Sequence, residues 1–232
     1  RIHALQVSEL NQELLAVARA GAGVNNIPLE ECSKRGIVVF NTPGANANSV
    51  KELVLTSLLV SARDVVGGMS YVGSLKDDLS ANELEELVEK NKKLFKGYEL
   101  KGKVLGVAGL GAIGSVVART GLDIGMTVTG FDPALSVEAA WRVPSEVERK
   151  NTIEDLFADA DFISLHVPLL EETRGLVDAD ILKNAKPGLV ILNFAREPIV
   201  DNQAVIKAIQ GGVVRKYVSD FPVTELLNNE SV

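Results

Sequence analysis

The sequence predicts an α/β fold built on a doubly wound parallel sheet, and three observations carry that reading. From about residue 100 onward, short apolar runs alternate with longer amphipathic stretches. Parallel strands need crossover helices, and strands buried on both faces read as near-continuous apolar runs. Turn residues mark the joints at Asp132-Pro133, Lys186-Pro187-Gly188 and Gly211-Gly212. A glycine run, Gly109-Leu110-Gly111-Ala112-Ile113-Gly114, sits between one apolar run and the next amphipathic stretch.

In chain order, Leu10–Ala18 reads as helical and Gly21-Ala22-Gly23 as a turn. Ile37–Phe40 is a short buried strand that ends at Asn41-Thr42-Pro43-Gly44. A helix follows over about Ser49–Arg63, because Val50, Leu53, Val54, Ser57, Leu58 and Ser61 recur at spacings of three and four. Residues 76–96 are rich in Glu and Lys and read as a solvated connector or an arm over a neighbouring subunit. Strands are then expected at Lys103–Ala108, Thr127–Phe131, Phe162–His166, Leu189–Phe194 and Val213–Ser219. The helices between them are Ile113–Ile124, Ile153–Ala158, Ala179–Ala185 and Asn202–Gln210.

Composition narrows the function classes. Of 232 residues 46% are hydrophobic and 24% charged, a globular balance. The net charge of −7, without a dense Lys/Arg block, argues against a nucleic-acid partner, which needs a basic face. The one cysteine, Cys32, cannot form an intrachain disulfide; it reads as a small buried hydrophobe and fits a reducing, cytoplasmic setting. Leu53–Val60 is too short and too interrupted to span a bilayer, so no membrane partner is expected. The start Arg1-Ile2-His3-Ala4 lacks both a signal-peptide pattern and an initiator methionine, so the natural amino terminus is expected upstream.

The glycine run gains meaning from its setting, following Val104–Ala108 and opening a helix. Gly109 permits the tight turn, Gly111 lets backbone approach a pyrophosphate, and Gly114 lets helix and strand pack closely. The helix amino terminus offers free N–H groups to the phosphates, which makes the sheet Rossmann-type. Asp132, 18 residues past Gly114, is placed to accept hydrogen bonds from the adenosine ribose. With no arginine in Pro133-Ala134-Leu135, NAD is favoured over NADP. The bland reading of Asp132 is a turn-forming Asp-Pro.

Asn193-Phe194-Ala195-Arg196-Glu197 follows a buried strand, where ligands of open α/β sheets bind. Arg196 reads equally as a clamp on a substrate carboxylate or as a surface cation paired with Glu197. Asp220 and Glu225 lie beyond the last strand; on residue type alone they are loop acids, one of which could orient an imidazole. No metal site is expected.

Taken together, Arg19–Ile27, Asn41–Gly44, the glycine run with Asp132, His166-Val167-Pro168-Leu169, Asn193–Arg196 and Asp220–Glu225 resemble, in order, the motifs of the D-2-hydroxyacid dehydrogenase family. Within it the chain is most similar to the branch that oxidises D-3-phosphoglycerate to 3-phosphohydroxypyruvate at the start of serine biosynthesis. The resemblance implies two domains. Residues 1–42 would be part of a flavodoxin-like substrate domain, and 43–232 a cofactor domain cut short at its carboxyl end. It makes Arg196 the catalytic arginine and Glu225 the acid paired with a catalytic histidine. Ala22, Gly109, Gly111, Ala112, Ile113, Gly114, Asp132, His166, Val167, Pro168, Phe194, Ala195, Arg196 and Asp220 would line NAD. Gly23, Asn46 and Arg196 would face a small 2-hydroxy acid, and the subunit would pair as a homodimer through the helix at 49–63 and the arm after it.

Two departures qualify the resemblance. The family's catalytic histidine lies in a Pro-His motif beyond the acidic stretch and is expected past Val232, since the histidines here are His3 and His166. Lys51 stands where a small residue is usual, and reads as a phosphate contact or as a solvated helix lysine. Rival readings are another substrate (glyoxylate, hydroxypyruvate, D-lactate), a formate-type dehydrogenase, and a non-catalytic NAD-responsive scaffold of the same fold.

Overall fold

The computed structural model describes residues 10–24, 26–75 and 78–226, and the chain divides into two compact units, Arg1–Val50 and Lys51–Val232. The expected boundary at 42/43 falls ahead of that division, which lies inside a helix.

In the first unit, β1 (Ala16–Arg19) runs parallel to β2 (Val38–Asn41), with Ala16 opposite Val38. Helix α1 (Leu29–Lys34) makes the crossover and contributes Cys32, fully buried in a cluster with Ile27 and Ile37. The thiol is therefore the small core residue its composition suggested. The helix expected over Leu10–Ala18 is not formed. Asn11 closes a turn by accepting from the Glu13 and Leu14 N–H groups, and residues 16–19 are extended against β2. A parallel partner fixes the backbone there, and tertiary pairing overrides local helix propensity.

Helix α2 (Ala47–Ala62) matches the expected helix and stops at Asp64, whose carboxylate accepts from Gly67 N–H at 3.1 Å and caps α3 (Val65–Gly73). The two helices meet at 66°. Among the described residues no single helix is long and apolar enough to cross a membrane. Within the charge-rich connector lies α4 (Ala81–Asn91), opened by a capping box in which Ser80 and Glu83 satisfy each other's backbone N–H. The segment is solvated, since α4 buries no residue, but it is a helix.

The remainder of the second unit is one parallel sheet. Its strands are β3 (Val104–Ala108), β4 (Thr127–Phe131), β5 (Glu148–Arg149), β6 (Phe162–Leu165), β7 (Leu189–Asn193) and β8 (Val214–Ser219), in spatial order β5-β4-β3-β6-β7-β8. The expected strands agree to within a residue at either end; only the two-residue edge strand β5 was not foreseen. The crossovers are α5 (Ala112–Asp123), the short α6 (Val137–Ala140), α7 (Ile153–Asp159), α8 (Ala179–Lys183) and α9 (Asn202–Gln210). Thr152, Asp178 and Asp201 cap the last three through their side-chain oxygens.

The principal core joins β6, β7 and β8 to α7, α8 and α9, with Leu156, Phe157, Ile163, Ile191 and Tyr217 almost wholly buried. All five residues of β7 are buried, as a central parallel strand requires. The strand order reverses at β3 and β6, so their carboxyl ends diverge and open a crevice. Truncating Phe157, 0% exposed, to Ala is expected to cost about 3–5 kcal/mol in a denaturant melt of the chain. A loss under about 1 kcal/mol would show that the core collapses around the gap.

Candidate functional site

The site is built where β3 ends. Gly109 takes φ +89°, in the left-handed region, and a Cβ there would come within 2.8 Å of the His166 carbonyl group. Its N–H donates to Phe131 O (2.8 Å), while His166 N–H donates to Ala108 O (2.7 Å). The loop is thus held by strands on both sides. At Gly114 a Cβ would land on the Gly109 carbonyl oxygen, so α5 approaches β3 as closely as backbone allows. Gly111, the N-cap residue of α5, has no side-chain cap, and a Cβ there would meet nothing within 4 Å. An uncapped helix amino terminus beside open space is the arrangement a pyrophosphate needs, with Ala112 and Ile113 in the first turn.

Asp132 follows β4. One carboxylate oxygen accepts from Leu110 N–H (2.8 Å) and the other from Ala134 N–H (3.0 Å). The first bond ties the end of β4 to the glycine loop, so Asp132 does more than form its own turn. Each oxygen keeps a lone pair for a ribose hydroxyl. A cavity of about 680 Å³ opens beside it, lined among others by Leu110, Leu135, Trp141, Val147 and Arg149.

His166 follows β6, and its Nε2 lies 2.8 Å from the hydroxyl of the fully buried Ser164. Burial pushes the imidazole down from 6.5 to about 4, so it is neutral near pH 7. Val167 packs against the core, and Pro168 offers its carbonyl to Thr173 Oγ1 (2.6 Å). These residues form a rigid rim of the crevice.

Beyond β7, Asn193 holds the next loop: its side chain accepts from Ala195 N–H (3.2 Å) and donates to Arg196 O (3.0 Å). Phe194 and Ala195 are half-buried. The Arg196 guanidinium donates to Ala195 O (2.6 Å) and makes no ion pair among the described residues. Glu197, its alternative partner in sequence, instead accepts from Asn202 (2.8 Å). Asp220 and Glu225 are exposed beyond β8, Glu225 on a 3-10 turn over Thr224–Leu226.

Gly109 through Gly114, Asp132, His166, Arg196 and Asp220 thus gather at one end of a single sheet. Ala22, Gly23 and Asn46 lie in the other unit, where Ala22 O accepts from Asn41 and Gly21 N–H donates to the Thr42 hydroxyl (2.7 Å). Lys51 lies 3.8 Å from Glu52, at loose ion-pair distance. No three His, Cys, Asp or Glu side chains among the described residues are placed to hold a metal. Ser164 and Tyr217, which brace His166 and Asn193, escaped sequence reading. The trace of Ser164 is a polar residue inside an otherwise apolar run, while Tyr217 lies in an alternating strand beside Arg215 and Lys216.

Comparison with known proteins agrees with this geometry. The family model for the NAD-binding domain of D-isomer specific 2-hydroxyacid dehydrogenases matches residues 72–232. A D-3-phosphoglycerate dehydrogenase of Methanocaldococcus jannaschii is 36% identical, over 92% of this chain and 38% of its own length. A hydroxypyruvate reductase of Thermotoga maritima is also 36% identical, over 95% of this chain and 65% of its own. Holo D-mandelate dehydrogenase of Rhodotorula graminis superposes with TM-score 0.78 at 27% identity, over 97% of this chain and 65% of that one. NAD+-bound 3-phosphoglycerate dehydrogenase of Entamoeba histolytica does so with TM-score 0.69 at 31% identity, over 94% and 61%. The chain therefore spans less than two thirds of the length of each of these relatives.

Two outcomes follow from the glycines and the histidine. Gly111→Ala should leave the melting temperature of the chain unchanged but weaken NADH binding in a fluorescence titration, whereas Gly114→Ala should lower both; wild-type NADH affinity in Gly111→Ala would remove the phosphates from this loop. His166 is depressed in the fold, so its contribution is complete above its unfolded value of 6.5 and is lost as pH falls toward about 4. The stability gap between wild type and His166→Asn should narrow across that window, and a gap independent of pH would show the imidazole is not held neutral.

Proposed function

The chain belongs to the D-isomer specific 2-hydroxyacid dehydrogenases, residues 72–232 forming that family's NAD-binding domain, and on that premise we propose that the complete protein oxidises D-3-phosphoglycerate to 3-phosphohydroxypyruvate. The observation that carries the proposal is Arg196, a guanidinium without an ion-pair partner among the described residues, at the carboxyl end of β7. NAD supplies the chemistry of accepting the hydride from C2 of the substrate.

The protein's part is binding, orientation and charge. Arg196 holds the substrate carboxylate through paired N–H donors and polarises the oxygen on C2. The hydroxyl proton leaves to an imidazole that Glu225 orients and favours in its protonated form. We do not give that role to His166, whose Nε2 is engaged by the Ser164 hydroxyl and whose basicity burial lowers. Asp132 selects NAD by accepting from the ribose and repelling a 2′-phosphate. The phosphorylated substrate is supported by relatives such as the D-3-phosphoglycerate dehydrogenase of Mycobacterium tuberculosis, 38% identical over 92% of this chain. We assign the protein to the reducing cytoplasm and to a homodimer. Exposed Leu53, Leu59, Val65, Val66, Met69 and Val72 on α2 and α3 support self-association, because grouped apolar side chains mark interfaces.

NADH oxidation by the full-length protein tests the reading, with 3-phosphohydroxypyruvate compared against glyoxylate, hydroxypyruvate and pyruvate. The expected result is a preference for the phosphorylated keto acid, lost by on the order of 10²-fold or more in Arg196→Ala. Preference for hydroxypyruvate would move the protein to the reductase branch. Tight NADH binding without turnover of any of the four would favour the scaffold.

A further inference from the structure

Asn193 ends β7 as a polar residue with 0% exposure after four aliphatic ones. A buried amide is tolerated only when its donors and acceptor are matched. Here they are: the carbonyl oxygen accepts from Ala195 N–H, and the NH2 group donates both to Arg196 O (3.0 Å) and to the hydroxyl of Tyr217 (3.2 Å). Tyr217 comes from the neighbouring strand β8 and is itself only 1% exposed. Burial pushes the phenol's titration upward, so it stays protonated. Further along β8, Ser219 Oγ accepts from Phe221 N–H at 3.1 Å.

One buried hydroxyl on β8 therefore braces the amide that holds the loop bearing Arg196. A phenylalanine would fill the same core volume, so packing alone does not call for the oxygen. We propose that Tyr217 is a positioning residue: through Asn193 it fixes the loop that aims Arg196. The proposal rests on the reading of Arg196 as the substrate-binding arginine. Arg196 makes no ion pair among the described residues, so no carboxylate fixes its side chain, and the buried Asn193 amide is one of the contacts that set the loop beneath it. Orientation errors of about 1 Å at a reacting centre cost on the order of 10²-fold in rate, so a small loop shift is enough to matter.

The test uses the full-length enzyme with Tyr217→Phe, which keeps the ring and deletes only the hydroxyl. The expected result is a fall of about tenfold in kcat/KM for the keto acid, mostly in KM, with the NADH dissociation constant unchanged. The double variant Tyr217→Phe/Arg196→Ala should be no slower than Arg196→Ala alone, since the hydroxyl acts through the arginine. Independent, additive losses overturn the positioning role. So does a wild-type kcat/KM in Tyr217→Phe beside a crippled Arg196→Ala; in both cases the proposed function stands. Wild-type turnover in Arg196→Ala removes the arginine's role, and this proposal with it. Hydrogen exchange gives a second reading that needs no turnover. In Tyr217→Phe the amides of residues 194–197 should exchange faster while those of 190–192 stay protected, and unchanged loop exchange overturns the proposal.

Discussion

A side chain at Gly114 would occupy the position of the Gly109 carbonyl oxygen, and much of the site depends on that missing Cβ. Without it, α5 packs directly onto the end of β3, and its first turn reaches the point where the strand order reverses. A bulkier residue would push the helix off the sheet and carry its N–H groups away from the crevice. The other fixed points depend on this contact. Asp132 reaches Leu110 N–H only because the loop is short, and Gly109 donates to Phe131 O for the same reason. The loop is therefore rigid before any ligand arrives, which spares binding the cost of ordering it.

In β6 and β7 of the sheet that carries this loop, the polar side chains come near the strand ends. β7 is buried along its whole length, and its one polar side chain, Asn193, is its last. In β6 the same holds for Ser164, one residue from the strand's end, with His166 just beyond. Each places a satisfied hydrogen-bonding group under a loop rather than inside the core. That division lets an apolar interior supply stability while the carboxyl edge supplies orientation.

Much of the sheet was legible in the sequence because parallel strands and crossover helices have contrasting periodicities, and the joints carry Pro and Gly. The glycine run was legible because Gly109 and Gly114 answer steric demands of the fold, while Gly111 leaves the helix amino terminus open. Less was legible in the first hundred residues. Leu10–Ala18 has an apolar spacing compatible with a helix, and only pairing with β2 decides against it. The capping box at Ser80 and Glu83 was present in the sequence, but the run of charges around it obscured a helix that buries no face. Tyr217 was not legible at all. Its alternation marks it as core, and that its hydroxyl finds Asn193 across the sheet depends on register.

Charge distribution separates Arg196 from the cations that serve the fold. Lys150, mostly buried, is bonded to both Asp159 and Glu148, and these partners hold its ammonium well above the usual lysine range. Lys186 meets Asp161 at 2.8 Å. Arg196 has a carboxylate next to it in sequence, yet Glu197 is turned to Asn202 and the guanidinium reaches only a backbone carbonyl. A carbonyl satisfies one of five N–H donors and neutralises no charge. The imidazole of His166, just beyond the adjacent strand β6, is kept neutral by burial and adds no positive charge of its own. Arg196 thus keeps free N–H donors in a planar fork, a geometry that can grip a carboxylate in two places.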